Sequence, residues 1–278
     1  MLIEELDHIK IEQRAIASVN LKRQVIIDLY IPKDFSSEPN FLLINDGQDL
    51  PDMPFHKMLN GLLGSGQILP LFCVGIYAGK DRRNEYGTAS VLDYAGRGVK
   101  AAAYKRFVLE ELLPFMHTHY GIEKCKRTGY AGFSLGGLSA LDTVWHHPDI
   151  FSVAGVFSGS LWWRSKDVGE GYDDDKHRII HQLVRNGKYS AGLRFYFTTG
   201  SLDETADRNN NGIIDSIDDT LDLIKELKNK GYQEDLEIKY INYEDGRHDV
   251  QTWGKAIPAF LLWGWSKTKS RHLQNESC

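Results

Sequence analysis

The chain contains 278 residues with a mass of 31.6 kDa, and its formal net charge is -5. Hydrophobic residues make up 42% of the sequence, which is too many for an intrinsically disordered chain. The mild acidity argues against nucleic acid as a partner, because binding to phosphates depends on an excess of Lys and Arg. No linker-like stretch divides the sequence, so we expect one domain over residues 1–278.

The chain has three cysteines, Cys73, Cys125 and Cys278, with neither a close pair nor a metal-ligand spacing. This pattern favours a reducing compartment over a disulfide scaffold. No basic segment precedes a short apolar run at the start, and no stretch approaches the roughly 20 apolar residues of a membrane span. We expect a cytoplasmic protein without a membrane partner. The alternative is a periplasmic or secreted protein whose signal peptide has been removed. Nothing in the sequence predicts an oligomeric state.

Apolar segments of two kinds alternate along the chain. The predicted strands cover residues 6–17, 22–31, 41–44, 68–77, 128–133, 151–157, 193–199 and 236–243. The predicted helices cover residues 101–118, 135–146, 217–230 and 250–265. Short apolar runs separated by helices predict a mostly parallel central sheet with helices on both faces, whereas the first two strands follow one another directly and should be antiparallel. Such an α/β sheet carries its chemistry at the carboxyl ends of the strands.

A G-x-S-x-G motif, residues 132–136, lies between a predicted strand and a predicted helix. This is the context of a nucleophile elbow, in which a tight turn exposes a serine above the sheet. We therefore predict Ser134 as a catalytic nucleophile. The alternative is a glycine-rich turn without chemistry.

A serine nucleophile needs a base and an orienting acid, in the chain order serine, acid, histidine for this architecture. Of the ten histidines, His248 directly follows the last predicted strand, which makes it the predicted base. Asp203 follows the strand over residues 193–199 and is the predicted acid, with Glu204 as the alternative. Asp249 adjoins His248 in sequence, a position that rarely gives the required geometry.

The predicted oxyanion hole combines two backbone N–H groups. Leu135 opens the helix after the serine, where free N–H groups point outward. The second donor should come from the loop after the third strand, Asn45-Asp46-Gly47-Gln48, and we predict the N–H of Gln48. The alternative for this loop is an ordinary Asp-Gly turn.

Several motifs together make the sequence similar to the esterase D-like group of α/β-hydrolases, which includes enterochelin esterases, feruloyl esterases, S-formylglutathione hydrolase and mycolyltransferases. The motifs lie at residues 30–32, 45–48, 81–86, 107–114, 129–137, 148–151, 158–163 and 246–249, with Trp253. The resemblance spans nearly the whole chain and implies the α/β-hydrolase fold, with Ser134, Asp203 and His248 as the triad. It also implies an esterase that forms an acyl-enzyme without a cofactor. By the same resemblance, Arg82 or Arg83 and Trp162 or Trp163 lie near the substrate.

The acid loop carries an insertion at residues 207–218 that this group does not generally have. It matches the twelve-residue calcium pattern, with oxygen ligands predicted at Asp207, Asn209, Asn211, Ile213, Asp215 and Asp218. Gly212 occupies the position of the sharp turn, and Asp218 replaces the usual glutamate. We predict a structural Ca²⁺ here; the alternative is a cluster of turn-forming residues.

These residues predict a serine carboxylic-ester hydrolase that acts on a small-molecule ester. The aromatic side chains near the site suit an aromatic acyl group, and the resemblance adds siderophore-type esters. Two alternatives remain open at this point. One is an acyltransferase of the same fold, and the other is a non-catalytic module that binds calcium or carbohydrate.

Overall fold

A computed structural model describes residues 1–34, 39–122 and 125–267, and the prediction of one domain over 1–278 extends beyond them. Nine strands of these residues form one sheet in the order β1-β2-β3-β5-β4-β6-β7-β8-β9. They are β1 (Leu2–Glu5), β2 (Ile9–Ser18), β3 (Arg23–Pro32), β4 (Asn40–Asn45), β5 (Leu71–Ile76), β6 (Arg127–Phe133), β7 (Val153–Phe157), β8 (Arg194–Leu202) and β9 (Ile238–Arg247).

The sheet is parallel from β5 to β9 and antiparallel at its amino-terminal side. The pairs β1/β2, β2/β3 and β3/β5 are antiparallel, whereas β5/β4, β4/β6, β6/β7, β7/β8 and β8/β9 are parallel. The predicted mostly parallel sheet and its antiparallel first hairpin are therefore confirmed. Because six consecutive strands run in one direction, the loops after β4, β6, β8 and β9 meet at one edge of the sheet.

Helices cover both faces of the sheet, as predicted. The described helices are α1 (Phe55–Gly64), α2 (Arg82–Glu85), α3 (Ala101–Arg106), α4 (Leu113–Tyr120), α5 (Leu135–His146), α6 (Asp174–His177), α7 (Ile179–Asn186), α8 (Asp215–Lys230) and α9 (Val250–Trp265). Helices α1 and α9 pack on one face, with Phe55, Leu59, Phe260 and Trp265 buried there. The other helices with buried apolar side chains pack on the opposite face, among them α5 through Leu138 and Leu141.

The predicted helix over residues 101–118 is interrupted. It consists of α3, a π-helical segment Phe107–Leu112 and α4, with Pro114 in the first turn of α4. Proline has no N–H to donate, so the ordinary i→i−4 ladder cannot continue through Pro114. The sequence pattern identified the apolar face, but it did not separate the α and π registers. Within the described ranges, no helix is both long and apolar enough to cross a membrane.

Candidate active site

The turn between β6 and α5 holds Ser134 in a strained conformation, with φ 53 and ψ −122. A non-glycine residue in this region costs on the order of 1–3 kcal/mol and persists only where the surroundings fix it. A Cβ on Gly132 would lie 2.4 Å from the carbonyl carbon and oxygen of Gly136, so the turn closes only with glycine at that position. The Oγ of Ser134 lies 3.2 Å from the Oγ of Ser160, a buried residue in the loop after β7. The predicted elbow geometry is thus present.

The loop after β4, which carries Gln48, lies against the first turn of α5, which begins at Leu135. Asn45 donates from Nδ2 to the carbonyl of Gly136 at 2.8 Å. A 3₁₀ turn, Gly47–Asp49, carries Gln48, whose Oε1 accepts from the N–H of Ala78 at 2.9 Å. Leu135 is the first residue of α5, where an N–H has no intrahelical acceptor.

The sheet register places Asp203 and His248 beside each other. Leu202, the last residue of β8, pairs with Arg247, the last residue of β9, and the two predicted triad residues come next in each chain segment. Asp203 accepts from the N–H of Gly200 through Oδ2 at 2.9 Å, whereas its Oδ1 is buried and has no hydrogen-bond partner among the described residues. An unpartnered buried carboxylate oxygen is costly unless a donor can reach it. In apo structures catalytic hydrogen bonds are often long and tighten on substrate binding.

The carboxyl of Asp203 and the imidazole of His248 both have shifted pKa values. Burial raises the pKa of Asp203, while the Gly200 N–H, the Ser158 hydroxyl and the charge of His248 oppose that increase. Partial burial lowers the pKa of His248, the carboxylate of Asp203 opposes this, and the guanidinium of Arg82 adds to it. A lowered imidazole pKa keeps His248 neutral near pH 7, as a general base requires.

Glu204 has a different environment from Asp203. Burial raises its pKa, and the other groups that act on that pKa are mainly Asp215, the N–H of Ser216 and Asp219. These residues belong to α8, and His248 is not among the groups with the largest effect on the pKa of Glu204. Of the two predicted candidates, Asp203 is therefore the carboxylate that faces the histidine.

Arg82 lies at the site, and its guanidinium is hydrogen-bonded to other residues of the protein. It donates from Nε and Nη2 to the two carboxylate oxygens of Asp46, each at 2.7 Å, and from Nη2 to the carbonyl of Phe133 at 3.3 Å. Asp46 is buried, with φ 59 and ψ 43. The guanidinium is paired in this way because a buried carboxylate requires a cation. That Arg82 lies near the substrate stays a prediction. Arg83 is exposed on the same short helix, α2.

The two predicted tryptophans have different environments. Trp163 is fully buried, packs against Gly87 and Gly98, and donates from Nε1 to the carbonyl of Val91 at 3.5 Å. Its assignment to the substrate site is wrong, since a side chain with no exposed surface has nothing to offer a ligand. Trp162 is half-buried, two residues beyond Ser160, and the guanidinium of Arg97 lies 4.9 Å from its ring centroid. Trp162 remains a candidate for substrate contact.

The insertion folds into a closed loop ahead of α8. Asp207 accepts from the N–H groups of Asn211 and Gly212 at 3.1 and 2.9 Å. Asn209 and Asn211 both donate from Nδ2 to Oδ2 of Asp218, at 3.0 and 2.7 Å. Four of the predicted ligand side chains therefore converge. The described residues contain no group of three or more His, Cys, Asp or Glu side chains that could hold a metal, so such a site would depend on amide and backbone oxygens.

Asp215 differs from its prediction as a ligand. Its Oδ1 accepts from the N–H of Arg208 at 2.9 Å and lies 3.3 Å from Nη1 of the same residue. Arg208 in turn pairs with Asp174 and with the buried Asp219. The carboxylate of Asp215 is therefore drawn toward this arginine rather than left free for an ion. Ile213 lies in the loop with its N–H donated to Oδ1 of Asn211 at 2.8 Å.

Sequence reasoning missed three residues at the site: Asp46, Ser158 and Ser160. Asp46 and Ser158 both have positive φ, 59 and 45, although neither is a glycine. Only tertiary contacts reveal such strain, since Asp and Ser are ordinary loop residues in a sequence. The sequence signal that could have identified Asp46 and Ser158 was their position directly after β4 and β7, at the carboxyl edge of the sheet.

The sheet, the strand–helix turn at Ser134 and the juxtaposed loops after β8 and β9 define an α/β-hydrolase fold. Residues 18–263 match the model of a family described as "Putative esterase". The match covers most of the chain, and the chain belongs to this esterase family.

The chain is also similar to individual proteins and solved structures. The chain is 26% identical over 185 residues to an iron(III) salmochelin esterase of Escherichia coli, covering 64% of this chain and 42% of that protein. It is 24% identical over 260 residues to the uncharacterized protein YjcH of Bacillus subtilis, covering 90% of this chain and 95% of that protein. The enterochelin esterase structure from Shigella flexneri superposes with a TM-score of 0.69 at 23% identity, covering 91% of this chain and 58% of that chain. At that identity the likeness to the structure shows the fold alone.

Proposed function

We propose that the chain is a serine carboxylic-ester hydrolase in which Ser134, His248 and Asp203 act as the catalytic triad. The observation that carries the proposal is the strained backbone of Ser134 at the strand–helix turn, with φ 53 and ψ −122. The register of β8 and β9, which sets Asp203 beside His248, supports the assignment of base and acid.

In the proposed reaction, Oγ of Ser134 attacks the ester carbonyl carbon while His248 takes the hydroxyl proton. The N–H groups of Leu135 and Gln48 donate to the oxyanion of the tetrahedral intermediate. When the intermediate collapses, the ester C–O bond breaks and His248 returns the proton to the leaving alcohol. Water then attacks the acyl-enzyme, its proton passes through His248 to Ser134, and the carboxylic acid leaves.

The proposed substrates are siderophore-type or aromatic-acyl esters. The similarity to the salmochelin esterase supports the first class. The half-buried Trp162, two residues from the Ser160 that contacts Ser134, supports an aromatic group near the nucleophile. A comparison of kcat/KM for a catechol siderophore ester, a feruloyl ester and a short aliphatic ester tests these two substrate classes.

Turnover of a short p-nitrophenyl ester tests the mechanism. Ser134→Ala should reduce kcat by roughly 10⁶, as in other triad hydrolases, and abolish labelling by a fluorophosphonate. Ser152→Ala is the matched control, because that hydroxyl contacts the carbonyl of Thr128 at the amino end of β7. Turnover that survives in Ser134→Ala would exclude Ser134 as the nucleophile.

We further propose that the loop over residues 207–218 binds Ca²⁺ in a structural role and fixes the segment that presents Asp203. The carboxylates of Asp207 and Asp218 and the amides of Asn209 and Asn211 converge, and rotation of each amide exchanges its nitrogen for its oxygen. Isothermal titration with Ca²⁺ alone, and the melting temperature with Ca²⁺ or with chelator, test the proposal. Asp207→Asn should weaken binding, whereas Asp235→Asn, an exposed acid before β9, should not. Identical melting temperatures with Ca²⁺ and chelator would exclude the site.

A further inference from the structure

Ser158 directly follows β7 in a backbone conformation that glycine adopts more easily. Its φ is 45, it is 3% exposed, and its N–H donates to the carbonyl of Thr198 at 2.8 Å. A glycine would take this conformation without steric conflict between Cβ and the backbone. The reason for serine rather than glycine at this position must therefore lie in the contacts of its hydroxyl.

The hydroxyl of Ser158 contacts an indole at the edge of the sheet where the proposed triad acid lies. Trp253 donates from Nε1 to Oγ of Ser158 at 3.1 Å in a buried hydrogen bond. The N–H of Ser158 donates to Thr198 of β8, and the N–H of Gly200, two residues further along β8, donates to the Asp203 carboxylate. The Ser158 hydroxyl also lowers the pKa of that carboxyl. Because the Ser158 oxygen accepts from Trp253, its own proton remains available for donation. The buried Oδ1 of Asp203 has no hydrogen-bond partner among the described residues and is free to accept that proton.

The ring of Trp253 also contacts the base and the nucleophile turn. Its edge-on contact with His248 has a centroid separation of 5.2 Å and an interplanar angle of 82°. It stacks on Phe133, the residue before Ser134, at 5.2 Å and 21°. One side chain in the first turn of α9 thus touches His248 directly and reaches Asp203 through Ser158.

We propose that Trp253 and Ser158 are positioning residues that hold the carboxylate of Asp203 and the imidazole of His248 in mutual register. The inference rests on the proposed function, because it assigns Asp203 and His248 to the triad. Neither positioning residue needs to touch the substrate. The indole N–H orients the serine hydroxyl, the hydroxyl orients the carboxylate, and the indole ring limits the rotation of the imidazole.

Trp253→Phe tests the indole N–H, because it keeps an aromatic ring against Phe133 and His248 and removes the donor together with the second ring of the indole. Ser158→Gly removes the hydroxyl and relieves the backbone strain, so this variant should fold. Trp265→Phe is the matched control, since the buried Nε1 of Trp265 donates to no acceptor in the part of the chain that the structure describes. Two readouts are compared: the pKa of His248 from an NMR titration, and kcat and KM for a p-nitrophenyl ester.

Both test variants should lower kcat by about 10- to 100-fold with KM nearly unchanged, as expected when a catalytic group is misplaced by about 1 Å. The pKa of His248 should fall by about 1 pH unit, because the Asp203 carboxylate that raises it is no longer held against the ring. The other groups that act on this imidazole, Arg82 and Asp249, are unchanged in both variants. Trp265→Phe should leave kcat and the His248 pKa at their wild-type values.

The two readouts distinguish the failure of this inference from the failure of the proposed function. If the wild-type protein hydrolyses esters but both variants keep its kcat and its His248 pKa, the positioning role is overturned and the esterase mechanism stands. If the wild-type protein hydrolyses no ester while both variants shift the His248 pKa, the positioning contacts stand and the proposed function fails.

Discussion

Arg82 and Asp46 form a bidentate ion pair next to the nucleophile turn, with Nε–Oδ1 and Nη2–Oδ2 distances of 2.7 Å. The pair joins the loop after β4, which carries the proposed oxyanion donor Gln48, to α2. The further hydrogen bond from Arg82 to the carbonyl of Phe133 connects both to the residue before Ser134. The geometry of the site therefore depends on a charge pair that does not need to contact the ester.

Arg82→Leu should destabilise the fold by about 3 kcal/mol, because it leaves the buried carboxylate of Asp46 without its cation. Arg83→Leu, on the same helix but exposed, should change the unfolding free energy by less than about 0.5 kcal/mol. Urea denaturation measures both values. Equal effects of the two substitutions would contradict the structural role assigned to the Arg82–Asp46 pair.

Asp203→Asn should reduce kcat by about 10⁴-fold, the size of loss seen when a triad acid can no longer orient its histidine. Glu204→Gln should cost less than about tenfold, since Glu204 interacts with the start of α8 rather than with His248. Steady-state kinetics with one p-nitrophenyl ester compare the two variants. A larger loss in Glu204→Gln would reverse the assignment.

The pH dependence of kcat/KM should have its acid limb below about pH 6.5, the ordinary pKa of histidine. The base must be neutral to accept the serine proton, and partial burial together with Arg82 lowers the pKa of His248 against the opposing charges of Asp203 and Asp249. Activity should therefore persist at mildly acidic pH and fall once the pH drops through the lowered pKa. A midpoint above about pH 7 would show that His248 is not the group that titrates.

Two adjacent histidines at the end of α5 should affect stability with opposite dependence on pH. The hydrogen bond to Asp142 raises the pKa of His146, so its stabilising contribution is complete below about pH 6.5 and disappears as the pH rises through the raised value. Burial lowers the pKa of His147, so protonation of this residue favours the unfolded chain at low pH.

His146→Gln should therefore lower the melting temperature more at about pH 5.5 than at about pH 8.5. His147→Gln should show the reverse trend, with its more favourable effect at the lower pH. Thermal unfolding of both variants at the two pH values provides the measurement, and each variant serves as the control for the other. The same pH trend in both would contradict the opposite pKa shifts.

Local patterns predicted the helices best where one face is apolar and the ends are clearly marked. The ranges 135–146 and 250–265 agree with α5 and α9 at both ends. Strand β1 and the helices α1, α2, α6 and α7 were missed. Strand β1 is exposed at every residue, so no apolar alternation distinguishes it in the sequence. Helix α1 follows Pro54 and contains two glycines, which disfavour a helix in local propensity.

The sequence by itself determined the central strands, the helices α5, α8 and α9, the G-x-S-x-G turn, and the order of Ser134, Asp203 and His248 along the chain. These follow from local steric rules and from the periodic placement of apolar residues. Only the tertiary structure decided that Arg82 pairs with Asp46, that Trp163 is buried, and that Trp253 donates a hydrogen bond to Ser158. Each of these features depends on contacts between segments that are distant in sequence. The surrounding packing sets the desolvation of a charge or a ring, and a local stretch of sequence does not contain that packing.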